Sequence, residues 1–110
     1  MAILNVQDLT NEGLEIVFSA FDPEGDFFTN DGKTYIHVKN LSLTTNCVVI
    51  FDSLRLCDQG HNHDLEIVVG AGEEKVIGFF SKKRYNGVDN LIQINYANAS
   101  NILVAAVRVV

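Results

Sequence analysis

The stretch Cys57-Asp58-Gln59-Gly60-His61-Asn62-His63-Asp64 gathers one cysteine, two histidines and two aspartates into eight positions. Thiolate and imidazole are good zinc ligands, so Cys57 and His61 could share a transition ion with His63 or Asp64. Cys47 becomes a fourth donor only if its strand lies beside this segment. The spacing argues against a metal. The chain has no CxxC pair and no HExxH, and Gln59-Gly60 favours a turn that would point the two histidines apart. Nucleophilic chemistry fares no better. Ser53 lies near Cys57, His61 and Asp64 without a nucleophile-elbow context. A Cys57–His61 pair would need an electropositive setting to activate its thiolate, and an acidic turn does not supply one. The residue types therefore point to a capped connection. Asp58 and Asn62 bond the backbone, Gly60 takes an unusual backbone angle, and Cys57 serves as a small hydrophobe. The expectation is no catalytic residue, no metal and no cofactor.

Three other polar stretches carry chemistry-bearing residues. Asp22, Glu24 and Asp26 alternate carboxylates, but with Pro23 and Gly25 between them they lack the twelve-residue calcium-loop pattern and read as a solvated turn. Gly70-Ala71-Gly72 has no following Lys-Ser or Lys-Thr and reads as a hairpin connection rather than a phosphate loop. Lys82-Lys83-Arg84-Tyr85 suits an interface, since Arg84 can grip a carboxylate in two places and Tyr85 offers an amphipathic ring. Phe79-Phe80, just before it, either fills the core or anchors the basic loop beside a partner. Opposite orientation of adjacent strand residues allows both. Phe80, Lys82, Lys83, Arg84 and Tyr85 are the expected interface residues.

The elements that must hold these groups read as strands. Lys33-Thr34-Tyr35-Ile36-His37-Val38-Lys39-Asn40 alternates nearly strictly, with Thr34, Ile36 and Val38 facing one way. Cys47–Asp52 is almost continuously apolar, as in a strand covered on both sides. Asp64–Val69 alternates, Lys75–Phe80 follows the Gly70–Gly72 turn, and Asn90–Tyr96 and Asn101–Val110 complete the late chain. Short strands are expected around Ile3–Val6 and over Leu14–Phe18, with Asp22–Asp26 and Asn30–Gly32 as breaks. Ser81–Asn90 contains Gly87 and too few apolar residues for a helical face. The fold expected is all-β: an antiparallel β-sandwich or partly closed barrel of seven or eight strands.

A chain of 110 residues with 47% hydrophobic and 20% charged residues bounds a single globular domain spanning residues 1–110. Fourteen acidic against eight basic residues give a formal net charge of −6, which repels a phosphate backbone and disfavours nucleic acid as a partner. The opening MAILNVQDLTNEG lacks a basic region followed by an apolar run, and no stretch of 18 apolar residues occurs. These features predict a soluble protein synthesised in the cytoplasm, with no membrane partner and with Cys47 and Cys57 as reduced thiols.

Several segments together carry a resemblance: Gly25 through Asn40, Cys57 through Asp64, Ala71 through Phe80, and Arg84-Tyr85-Asn86. In these the chain resembles the small capsid-associated proteins of tailed bacteriophages, especially head decoration or cement proteins. The resemblance implies a β-rich structural virion protein on the outer surface of an icosahedral head. It would contact the major capsid protein and copies of itself, in a homo-oligomer of unspecified size. It transfers neither an enzymatic activity nor a metal site. The implied mechanism is noncovalent, with multivalent contacts bridging capsid subunits against internal DNA pressure.

Overall fold

The alternation in Thr34–Asn40 forms the strand at the centre of the molecule, with Thr34, Ile36, Val38 and Asn40 buried and Tyr35, His37 and Lys39 half-buried. The computed structural model describes residues 2–52, 64–85 and 90–109. Among them are ten strands: β1 (Ala2–Ile3), β2 (Val6–Leu9), β3 (Ser19–Ala20), β4 (Asp26–Thr29), β5 (Thr34–Asn40), β6 (Cys47–Phe51), β7 (Leu65–Val69), β8 (Glu74–Ile77), β9 (Leu91–Ala97) and β10 (Ile102–Val109). One helical turn, α1 (Lys82–Tyr85), precedes β9.

The strands form two sheets around one core. The first runs β1-β4-β9-β6-β7; the second runs β2-β10-β5-β8, with β3 also paired to β10. Phe28, Phe51, Ile92 and Ile94 from the first sheet meet Ile36, Val38, Ile102 and Val104 from the second, all essentially inaccessible to water. Neither sheet closes on itself, so the architecture is a sandwich rather than a barrel.

Antiparallel pairing dominates, but two pairs depart from the expected all-antiparallel order. β1 lies parallel to β4, and β2 lies parallel to β10. Both departures arise because the first residues serve both layers. Leu4 is buried between them and donates its N–H to the Phe27 carbonyl at 2.7 Å, so the expected single strand at Ile3–Val6 divides into β1 and β2.

Leu14–Phe18 has the burial rhythm of a strand, half-buried at Leu14, Ile16 and Phe18 and exposed at Glu15 and Val17, yet it pairs with no strand among the described residues. Its backbone is held by a side chain instead. The Gln7 amide donates to the Val17 carbonyl at 2.8 Å and accepts from the Val17 N–H at 2.9 Å. Gln7 stands opposite Val107, and Phe18 meets His37 edge-on at 4.9 Å. The segment thus lies over the outer face of the second sheet, where Ala105 and Val107 are buried despite facing away from the core.

Gly70–Glu73 is a tight turn, with Glu73 N–H bonded to the Gly70 carbonyl at 3.0 Å. It is not a hairpin connection, because β7 belongs to the first sheet and β8 to the second. Asn40, at the end of β5, holds this crossing. Its N–H donates to the Glu73 carbonyl at 2.9 Å, and its amide nitrogen donates to the Val69 carbonyl at 3.0 Å and the Thr45 carbonyl at 2.8 Å. Gly25 marks the other tight approach. With φ at 108°, a side chain there would place Cβ 3.0 Å from Asn95 Oδ1 and 3.1 Å from the Ile94 carbonyl oxygen.

Candidate partner-binding edge

Of the expected turn cluster, Cys57, Asp58, Gly60, His61, Asn62 and His63 lie outside the described residues. The neighbouring strands do show what the cluster connects: β6 and β7 are antiparallel neighbours paired from Cys47↔Val69 to Phe51↔Leu65. Cys47 is therefore at the far end of this pair from residues 53–63. Four steps of strand separate it from Phe51, about 13 Å, and its side chain is in the core. Cys47 is a free thiol, and burial pushes its pKa up, away from thiolate chemistry. Among the described residues, no three His, Cys, Asp or Glu side chains converge on a point that could hold a metal ion.

The acidic stretch Asp22–Asp26 divides between solvent and interior. Asp22 Oδ1 accepts the Glu24 N–H at 2.9 Å, and this backbone bond holds the Asp22 carboxyl below the usual carboxylate range. Asp26 turns inward, is fully buried, and takes the Tyr96 hydroxyl on Oδ2 at 2.7 Å. Burial, reinforced by this acceptor, pushes the Tyr96 phenol far above its ordinary value, so it stays a donor. On the outer face, Asn95 Nδ2 donates to Asp52 Oδ1 at 3.0 Å. Burial and the nearby charge of Asp64 raise the Asp52 carboxyl.

The expected interface residues separate in a different way. Phe80, named from the sequence as part of the interface, is only 3% exposed and packs among Phe28, Phe51 and Tyr85 with ring centroids 4.7–5.7 Å away. The Asn30 amide donates to its carbonyl at 3.1 Å. Tyr85 is 6% exposed and belongs to the same cluster. Both are corrected from surface to core. The outward aromatic is Phe79, 59% exposed, with Tyr35 edge-on at 6.5 Å and Val76 equally exposed on β8. The reason lies at Gly78. A Cβ there would sit 2.8 Å from Tyr35 Cβ, β8 ends at Ile77, and the inward face resumes at Phe80 rather than Phe79. Lys82 is exposed at the start of α1, with Lys83 and Arg84 following in the same turn.

These groups border a cleft. β7 ends the first sheet and β8 ends the second, so among the described strands neither has a partner on its outer side. Between them lies an open groove of about 450 Å³, floored by Leu65, Ile67, Ile77 and Phe80. Lys75 crosses it, donating from Nζ to the Val68 carbonyl at 2.7 Å. No helix among the described residues is long and apolar enough to cross a membrane. The fold and this edge define a β-sandwich with an apolar margin that is unpaired among the described strands. Comparison with protein-family models, curated proteins and solved structures found no match.

Proposed function

We propose that the chain is a non-enzymatic structural protein of a tailed-phage virion. In this role it binds the outside of the head, contacts the major capsid protein and copies of itself, and stabilises contacts between capsid subunits. It would be synthesised in the host cytoplasm and would use neither nucleic acid nor membrane as a partner. The carrying observation is the exposure of large apolar side chains at opposite ends of β5. Leu41 and Leu43 stand beyond its end, Leu43 at 88% exposure, while Phe79 stands beside Tyr35 near its beginning and exposed Val76 lies opposite His37 at its middle. A protein that bridges neighbours needs at least two separate contacts, and modest contacts at both ends multiply when the arrangement is repeated over a shell.

High-resolution imaging of intact phage particles tests this reading. The expected result is density for the chain at repeated positions over the capsid, with heads lacking it rupturing under milder heating or osmotic shock. Reproducible placement elsewhere in the particle, with none on the head, overturns it. A protein-binding β-sandwich outside a virion is the second reading, favoured by the same apolar groove. Its discriminating observation is genome neighbourhood, since genes for a portal, a protease and a major capsid protein beside this one belong with the head.

A further inference from the structure

We infer that residues 2–9 form an exchangeable arm, and that the lane they fill along β4 and β10 accepts the same segment from a second copy of the chain. The inference rests on the proposed contact between copies and names the segment that makes it. β1 ends the first sheet and β2 ends the second, so among the described strands each has one neighbour. Lifting the arm away therefore breaks no pairing between other described strands. Both neighbours are remote in sequence and parallel to the arm, since Ala2 stands opposite Asp26 and Val6 opposite Ala106. No hairpin ties the arm to the strands it completes.

The lane itself specifies its occupant. Leu4 is buried between the layers and bonds the Phe27 carbonyl, the Gln7 amide bonds both backbone groups of Val17, and Asp8 Oδ1 accepts from Arg108 Nε at 2.9 Å. Asp31, 4.0 Å from the same Nε, stays with the lane whichever arm fills it. An arm from an identical chain reproduces each of these contacts. What changes is the turn between β2 and Leu14. Residues 10–13 are exposed, and they are closed by the Gly13 N–H on the Thr10 carbonyl at 3.0 Å and the Glu12 N–H on Thr10 Oγ1 at 3.3 Å. Opened, four residues span about 13 Å, which carries the arm off its own body onto an adjacent one. The tether favours a chain's own arm by acting as a concentration of about 1 mM. Copies arrayed side by side on a surface approach that range, so exchange belongs to the assembled state.

Charge-swapped variants of the full chain at the Asp8–Arg108 contact test the inference. D8R sets two arginines face to face within one chain, and R108D sets two aspartates. Exchange between the two variants restores opposite charges twice, because the introduced arginine meets the introduced aspartate in one lane and the native pair re-forms in the other. Native mass spectrometry of the two mixed at millimolar concentration should show mixed dimers about tenfold more abundant than either homodimer. The doubly swapped chain D8R/R108D should dimerise no more than the parent. Deleting Asn11 and Glu12 removes the turn, so that variant should be dimeric wherever it is folded. A mixture that stays monomeric, or a folded monomer of the deletion variant, would overturn the inference. So would mixed dimers no more abundant than random pairing gives, which assign dimerisation to another surface. If D8R or R108D is unfolded alone, mixing decides: folded mixed dimers support exchange, and continued unfolding overturns it. Absence from phage heads would remove the virion reading and leave exchange intact, whereas failed exchange would leave head attachment by other surfaces.

Discussion

Asp26 and Tyr96 show what a buried polar pair requires. A carboxylate inaccessible to water is tolerated here because the Tyr96 hydroxyl donates to it, while its Oδ1 has no hydrogen-bond partner among the described residues. Tyr96→Phe removes that donor and leaves Oδ2 with the longer bond from the Asp22 N–H at 3.3 Å, so chemical denaturation should show a loss of about 1–3 kcal/mol. Asp52 behaves in the opposite sense. Its folded pKa is raised above the ordinary 3.8 by burial and by Asp64, so the folded state holds its proton more tightly than the unfolded chain. Stability therefore falls as pH rises through the window between those two values, and the whole cost is present at neutral pH. Asp52→Asn keeps the acceptor for Asn95 without the charge. Its melting temperature should exceed that of the parent at pH 7, and the difference should vanish below pH 3.8. A difference that persists there would assign the effect to packing rather than charge. Neither pair is visible in the sequence, where Asp26 reads as part of a solvated turn. Only the register Asp26↔Ile94 brings it beside Tyr96, and register is a property of strands far apart in the chain.

At the scale of elements, alternation identified β5 and β7, and apolar runs between turn signals identified β6, β9 and β10, to within a residue or two at most ends. It failed where the backbone changes phase or partner. Carrying the alternation forward from Val76 puts Phe80 outside, but the phase shifts at Gly78, and the two aromatics exchange roles. Leu14–Phe18 has the correct alternation and no ladder, because Gln7 supplies the bonds that a neighbouring strand would. β4 begins at Asp26, within what reads as a turn, since Gly25 admits the positive φ that lets the chain enter the sheet at once. The crossing from β7 to β8 depends on Asn40, which is buried and bonds both sides of the passage. Asn40→Ala strands the Val69 and Thr45 carbonyls and should cost about 1–3 kcal/mol by denaturant titration. It should also speed amide exchange at β8 more than at β10, because among the described strands β10 lies between neighbours while β8 is held on one side.

For the molecule as a whole, the second sheet has a particular dependence on its last strand. β2, β3 and β5 all take their partner from β10, and β2 meets it across a separation of about a hundred positions. Residues 6–9, 19–20 and 34–40 are synthesised long before residues 102–109, so they leave the ribosome without the strand that joins them. Before residues 102–109 are made, β5 and β8 are the described strands of the second sheet that can pair. The first sheet can pair β6 with β7 early, but the part of its inner face that packs on Ile102, Val104 and Ala106 has no cover until β10 arrives. Nascent chains of this protein should be open to proteases until residue 109 has cleared the exit tunnel, and then close in a single late event.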